Sequence, residues 1–352
     1  MSSQEDFEFR GSAGEWFGIW IVNLLLSILT LGIYSAWAKV RSNKYFYQNT
    51  WVAGRNFDYH ATGKQILIGR LIIVGVFFVY AFLSAVAPPL AVVIALCVLV
   101  AFPYLILRSL MFKARNSSWG NVRFNFDGEV GDAYRIFLGI PILLVLTLYT
   151  TVPYFSRASQ RFGINGHSLG KTRFHFDSTI GPFYKAFLCA VAVVLVGAGA
   201  FALYLLPKMQ MLIYHQADMM PEQIQVIMVT LIGIGYFLLI TCGVLAGIVY
   251  TTMMRNHVYS QTTLGDRQHG FQSTISVGSM LWIVITNALV VIGSLGLMLP
   301  WAQVRYHRYL AQNTALLPNG TLEEFTGEII SDSNAIGDAY ADIEGIDLDI
   351  GF

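Results

Sequence analysis

Residues 19–50 read IWIVNLLLSILTLGIYSAWAKVRSNKYFYQNT, and residues 283–314 read IVITNALVVIGSLGLMLPWAQVRYHRYLAQNT. When the two stretches are aligned without a gap at an offset of 264, fifteen of the 32 positions are identical. The identities include Asn23 and Asn287, Trp37 and Trp301, and Arg41 and Arg305. Similar composition alone would not place Trp, Arg and Asn at matching positions in both stretches. We therefore interpret the stretches as copies of one unit and predict internal tandem repeats.

The end of this stretch recurs five times along the chain. In each copy a basic residue is followed eight positions later by Asn or Thr, and then by a turn glycine. The five pairs are Arg41 with Asn49, Arg108 with Asn116, Arg157 with Asn165, Arg255 with Thr263, and Arg305 with Asn313. The turns are marked by Gly54, Gly120, Gly170, Gly265 and Asn319-Gly320, the last being a strong hairpin signal. Aromatic and polar residues alternate beside these turns, so each copy predicts a helix end, a β-hairpin and a helix start.

Long apolar segments separate the copies. The chain of 352 residues is 55% hydrophobic and only 12% charged, whereas soluble domains carry about 25% charged residues. Seven runs are long enough to cross a bilayer: Trp16–Ala38, Ile66–Ala87, Leu90–Phe112, Ile136–Phe155, Phe183–Leu206, Ile224–Val249 and Met280–Trp301. We therefore predict a polytopic α-helical membrane protein with about seven hydrophobic segments and repeated β-hairpins.

The repeats divide the chain into five parts. They are an N-terminal strand (1–15), repeat unit 1 (16–131), repeat unit 2 (132–278), a half repeat (279–328) and an acidic disordered tail (329–352). The part from Glu323 to Phe352 carries nine acidic residues and neither Lys nor Arg, which predicts disorder. Such a tail either keeps the protein soluble or docks on a basic face of the same chain or of a protein partner.

The distribution of positive charge predicts the topology. Lys and Arg concentrate in and beside the hairpins, whereas the loops at Pro88 and Pro207 carry little positive charge. The hairpins and the acidic tail should therefore be cytoplasmic. If the single apolar segments between hairpins crossed the membrane completely, the hairpin near Arg157 would lie outside the cell. The positive charge of that hairpin favours the cytoplasm instead. We therefore predict that these segments are re-entrant and turn at Gly32 and Gly296, with an inverted-topology repeat as the rival.

Hairpins on one side allow their aromatic strands to pair. A common sheet or a closed ring would remove the exposed strand edges that favour aggregation. We expect this β-layer to lie beneath the helical membrane domain.

The repeat-motif pairs have two interpretations. Arg and Asn from several copies can line a central vestibule that selects anions or lipid phosphates. Alternatively, each Arg reaches the interface or the helix carbonyls, and each Asn starts the hairpin turn; we favour this structural role. Asn23 and Asn287, inside apolar runs, are either functional or bonded across helices.

No pattern for catalysis, metal binding or nucleotide binding is present, so we predict that the protein is not an enzyme and needs no cofactor. No Asp, Glu or Lys lies in the middle of an apolar run. This absence argues against an ion-coupled carrier more than against a passive pore.

Three stretches carry a family resemblance: Phe9-Arg-Gly-Ser-Ala-Gly-Glu-Trp16, residues 23–41, and Phe57-Asp-Tyr-His-Ala-Thr-Gly63. They resemble the YjgN-like family of bacterial inner-membrane proteins, whose function is unknown. Ala36 replaces a proline that is frequent in the motif, and Pro300 retains it in the last copy. The resemblance implies the inner membrane of a Gram-negative bacterium and supplies no catalytic residue.

Two functions follow as expectations. The first is a pore or transporter for a small solute or lipid, because symmetric repeats can surround an axis. The alternative is a membrane scaffold whose basic β-layer binds a protein partner or anionic lipids. Membrane lipids are the expected partners in both, and nucleic acid is not.

Overall fold

The computed structural model describes residues 4–215, 219–327 and 329, which form a helical layer above one β-sheet. The strands are β1 (Glu5–Asp6), β2 (Glu8–Phe9), β3 (Thr50–Val52), β4 (Arg55–Tyr59), β5 (Ser117–Trp119), β6 (Val122–Phe126), β7 (His167–Leu169), β8 (Thr172–Phe176), β9 (Thr262–Leu264), β10 (His269–Ser273) and β11 (Thr314–Leu317).

The helices come in pairs that alternate with the strands. They are α1 (Ala13–Leu29), α2 (Ser35–Gln48), α3 (Gly63–Val86), α4 (Pro88–Arg115), α5 (Val130–Tyr134), α6 (Ile140–Leu146), α7 (Val152–Asn165), α8 (Gly181–His215), α9 (Pro221–Ser260), α10 (Val277–Gly293) and α11 (Leu299–Gln312). A π-helical turn, Arg135–Gly139, joins α5 to α6. A short helix, α12, follows over 322–327.

The sheet closes on itself through the N-terminal segment. β1 pairs antiparallel with β11, β2 pairs antiparallel with β3, and only Phe7 lies between β1 and β2. The Phe7 N–H donates to the Thr314 carbonyl at 2.9 Å. The two ends of the sheet are thus joined by five consecutive residues into a near-complete barrel. The expected common sheet is present.

The hairpin predicted at Asn319-Gly320 is wrong. After β11 the chain turns at Gly320, whose φ is +119°, and enters α12. No strand returns beside β11 within the described residues, because β1 and β10 already occupy both of its edges. The Asn319-Gly320 turn signal reflects local sequence only. The strand that actually pairs with β11 comes from the other end of the chain.

Four of the seven predicted segments are helices long and apolar enough to cross a membrane within the described residues: α3, α4, α8 and α9. The other three predicted segments are broken into helical hairpins: α1 with α2, α5 and α6 with α7, and α10 with α11. At 17 residues, α1 and α10 each extend about 25 Å, short of the hydrocarbon core of about 30 Å. Seven hydrophobic segments were predicted, with the single segments re-entrant, and within the described residues four of the seven are helices that can cross.

The helical hairpins turn where the sequence suggested in two cases. Gly32 has a φ of +91° and Gly296 a φ of +90°, in the region that favours glycine. In the third hairpin Leu148 (φ +48°) and Tyr149 (φ +63°) make the turn without a glycine. No residue of this turn favours positive φ, so its position was not predictable from local sequence.

All strands share one sheet, so all β-hairpins lie on one side of the helical layer. An inverted-topology repeat would separate them by a membrane and is incompatible with this pairing. Neighbouring helix pairs also contact one another, through α1 with α11, α2 with α3, α4 with α5, α7 with α8, and α9 with α10. The helices thus close in the same cyclic order as the strands. Their duplication from one ancestral unit stays a prediction.

Part of the tail is ordered, contrary to the expected disorder from Glu323. Residues 322–327 are helical, and Phe325 and Ile329 are buried. Leu322, Phe325 and Ile329 are spaced to form one apolar helix face, which outweighs the surrounding acidic residues. Residues 328 and 330–352, where the rest of the predicted disordered tail falls, lie outside the described residues.

Cysteine labelling tests the one-sided arrangement. In a cysteine-free background, single cysteines replacing the exposed Arg123 and Arg173 should react with a membrane-impermeant maleimide from the same side of sealed vesicles. A cysteine replacing the exposed Met220, in the loop between α8 and α9, should react from the other side. Labelling of positions 123 and 173 from opposite sides would contradict the fold.

Candidate functional site

The barrel interior is apolar. Alternation along the strands turns Val52, Trp119, Leu169, Leu264 and Leu316 inward, where they pack in one buried cluster. Each of these five is at most 5% exposed. The cluster lies toward the turn end of the barrel, away from the helices.

Five phenylalanines pack against this cluster, and we name them the phenylalanine belt: Phe7, Phe57, Phe124, Phe174 and Phe271. The centroids of consecutive rings lie 6.2, 6.4, 6.3 and 6.0 Å apart, from Phe7 to Phe271 in chain order. The register sets Phe57, Phe124, Phe174 and Phe271 opposite members of the buried cluster. The belt therefore forms one layer around the barrel.

The belt is more accessible than the residues on either side of it. Its five side chains are half-buried, whereas Trp119, Leu169, Leu264 and Leu316 are at most 3% exposed. Two residues farther along the strands toward the helices, Tyr59, Phe126 and Phe176 are again at most 3% exposed, so the belt lies between two tightly packed regions. The aromatic strands are visible in the sequence. The convergence of five phenylalanines on one layer is not, because it depends on barrel closure.

The α12 segment fills the turn end of the barrel. The Phe325 ring lies 5.6 Å from that of Trp119 and 4.8 Å from that of His269. Glu324 Oε2 lies 3.0 Å from Arg267 Nη1, in the turn between β9 and β10. Ile329 is fully buried in the same cluster. Sequence analysis missed this contact, and the apolar spacing within the acidic tail was the available signal.

The structure brings two sets of predicted residues together. Arg305 Nη1 donates to Asn287 Oδ1 at 2.9 Å and to Thr286 Oγ1 at 2.7 Å. In the first helical hairpin, Arg41 Nη1 donates to Asn23 Oδ1 at the longer distance of 3.4 Å. Each bond joins the two helices of one hairpin, which fits the cross-helix interpretation of both asparagines.

The remaining repeat arginines have different surroundings. Arg157 Nε donates to the Ser178 carbonyl at 2.6 Å, and Arg255 Nη2 donates to Thr314 Oγ1 at 3.1 Å. Arg108 is exposed on α4. These local bonds fit the structural interpretation better than a shared anion vestibule.

The repeat asparagines close helix ends. In Asn49, Asn116 and Asn313 the Nδ2 group donates to the carbonyl four residues earlier at 2.8 Å. Asn165 instead accepts from the Phe176 N–H at 2.6 Å, and Thr263 lies within β9. The asparagines thus satisfy backbone groups where a helix gives way to a strand.

Two histidines at this helix–strand boundary are shifted toward the neutral form. His60 Nε2 lies 2.8 Å from Ser118 Oγ. Burial is the main cause that lowers the pKa of His60, and the nearby positive charge of Arg123 lowers it further. Burial likewise lowers the pKa of His167. Both imidazoles are therefore neutral at pH 7 and add no charge near the belt.

The paired contacts generate a stability prediction. Asn287→Leu should lower the free energy of unfolding by about 1–2 kcal/mol, because Arg305 loses an acceptor and the Ala302 carbonyl loses a donor. Asn23→Leu is the matched control and should cost less, since its bond to Arg41 is longer and its Nδ2 has no partner among the residues that the structure describes. Thermal unfolding in detergent measures both. An equal or larger loss for Asn23→Leu would contradict the assignment.

Comparison with known proteins identifies relatives of this chain and its family. The proteins named Inner membrane protein YjgN from Escherichia coli O157:H7 and strain K12 are each 34% identical over 141 residues. That of Salmonella typhimurium is 30% identical over 138 residues. Each match covers 39% of this chain and 35% of the relative, so only about a third of each relative is spanned. No solved structure matches. Residues 4–343 match the family described as bacterial protein of unknown function (DUF898), and the chain therefore belongs to that family.

Proposed function

We propose that this protein is a pore or transporter of the bacterial inner membrane, with its barrel in the cytoplasm. The observation that carries the proposal is that the β-sheet and the helical layer both close into a ring. Strands and helix pairs close in the same cyclic order, so one axis passes through both. The positive charge beside the hairpins supports the cytoplasmic side.

The phenylalanine belt is the proposed gate. Four consecutive ring distances of about 6 Å match those of a five-membered ring about 5 Å in radius, which would leave a narrow passage at its centre. Apolar constrictions of this kind block ions by excluding water. An apolar lining is compatible with a small neutral solute or with a lipid chain.

The α12 segment is the proposed second closure. Phe325 and Ile329 occupy the barrel below the belt, so passage requires that this segment leave the turn end. The ion pair between Arg267 and Glu324 is about half exposed, and surface pairs of this kind contribute little. Burial of Phe325 and Ile329 is therefore the main force that holds the segment in place.

The sealed barrel also favours a second candidate, a membrane scaffold that transports nothing. Its exposed outer strand positions include Arg123 and Arg173, which suit a protein partner or anionic lipids. In that case the apolar interior is a structural core. Neither candidate involves catalysis, and we propose that the protein is not an enzyme. Solute flux separates the two functions.

Reconstituted liposomes provide the test. Phe124→Ala/Phe174→Ala should raise the flux of at least one small neutral solute or labelled phospholipid about tenfold over wild type, because the belt loses two adjacent rings. The matched control is Phe77→Ala/Phe78→Ala, since both phenylalanines are exposed on α3 and lie far from the barrel.

A chain that ends at Gly320 is the second variant and removes α12 without altering the belt. Thermal unfolding and size-exclusion profiles check that every variant is folded. Flux from either folded variant supports the pore. If both variants are folded and neither passes any member of the panel, the pore is rejected and the scaffold remains.

A further inference from the structure

A cavity of about 660 Å³ lies between α10, α11 and the start of α1. Its volume falls within the range of about 300–1,000 Å³ that is usual for small-ligand sites. Its lining includes Trp282, Trp301, Arg305, Arg308 and Tyr309. Two cations and several aromatic side chains therefore face one space at the last helical hairpin.

Among the described residues, no acidic side chain forms an ion pair with either arginine. Arg305 uses Nη1 on Asn287 and Thr286, and Arg308 uses Nη2 on the Gly11 carbonyl at 3.0 Å. The other guanidinium N–H groups have no hydrogen-bond partner in the described part of the chain. No acidic side chain lines the cavity. The cavity thus offers unused, forked donors of the kind that bind phosphate.

The backbone adds donors of the same sign. Gly278 and Ser279 line the cavity in the first turn of α10. Their N–H groups have no acceptor within residues 4–215, 219–327 and 329, and the N-cap Ser276 makes no side-chain bond to them. A helix N-terminus carries partial positive charge, and here it faces the same space as Arg305 and Arg308.

The aromatic residues place the cavity at a membrane interface. Trp282 is 66% exposed on α10, and Trp301 lies at the start of α11. Exposed tryptophans mark the level of lipid headgroups. The guanidinium of Arg305 lies 5.2 Å from the centre of the Trp301 ring, so the cation and the interfacial aromatic residue line the same part of the cavity.

The first helical hairpin keeps Trp37, Arg41 and Tyr45 but differs from the last at other positions of the cavity. At the offset of 264, Glu15 replaces Ser279, Gly18 replaces Trp282 and Lys44 replaces Arg308. Trp37, the counterpart of Trp301, packs tightly against Gly63, where an added Cβ would lie 2.5 Å from the indole ring. The first hairpin thus carries an acid in place of Ser279 and holds its tryptophan against α3, so the donor set is specific to the last hairpin.

We infer that this cavity binds the phosphate group of an anionic ligand, with Arg305, Arg308 and the start of α10 as donors. A phospholipid headgroup and free phosphate share this chemistry. The site lies outside the barrel and its binding does not depend on whether the protein is a pore.

Ligand titration of the full-length protein in detergent tests the site. The probes are short-chain phosphatidylglycerol, short-chain phosphatidylcholine and inorganic phosphate, and the readout is tryptophan fluorescence. Wild type should bind phosphatidylglycerol at least tenfold more tightly than phosphatidylcholine. Phosphate that competes at millimolar concentration or below would identify a soluble anion as the source, and phosphate that fails to compete would identify the lipid.

Two variants test the proposed donors. Arg308→Gln removes a cationic donor, and Ser279→Glu adds a negative charge that repels the anionic ligand. Arg308→Gln and Ser279→Glu should each weaken phosphatidylglycerol binding about tenfold or more, and Glu is accommodated at the equivalent position of the first hairpin. Lys44→Gln removes one charge at the counterpart of Arg308 and should leave binding unchanged. Thermal unfolding confirms that each variant is folded. Wild-type affinity in both folded variants, or an equal loss in Lys44→Gln, would overturn the site.

Discussion

Backbone pairing of residues 5–9 with two different strands is the constraint on which the architecture depends. The edge strands β3 and β11 each have one free edge until this segment fills both. Unpaired strand edges are costly when shielded from water and invite aggregation when exposed. Closure removes both problems. It also brings the five phenylalanines of the belt into one layer and determines which helix pairs become neighbours.

Local signals in the sequence were sufficient for much of this architecture. The turn glycines and alternating aromatic residues predicted five β-hairpins, of which four are present, and Gly32 and Gly296 predicted two helical hairpins. Long-range partners were not accessible in the same way. The hairpin expected at Asn319-Gly320 failed because the edge beside β11 is taken by β1, more than 300 residues earlier. The turn at Leu148 and Tyr149 carries no residue that favours positive φ.

The candidate residues show a similar division. Repetition singled out Asn23, Asn287, Arg41 and Arg305, yet their pairing was not anticipated. In each hairpin the Asn and the Arg lie nine positions on either side of the turn glycine, Gly32 or Gly296. Two antiparallel helices joined at that glycine necessarily bring such positions side by side. This symmetry about the turn was readable from the sequence. The cavity beside Arg308 was not, because it depends on how α1 packs against α11.

The distance along the chain between β1 and β11 has a consequence for biogenesis. The two strands are separated by nearly all of the membrane-inserted sequence, so the ring stays open while the ribosome is still translating. Bringing such distant segments together carries a large loop-closure entropy and slows folding. β2 can pair with β3 early, whereas Glu5 and Asp6 must remain free of other pairing until β11 emerges, and insertion of the helices precedes completion of the ring.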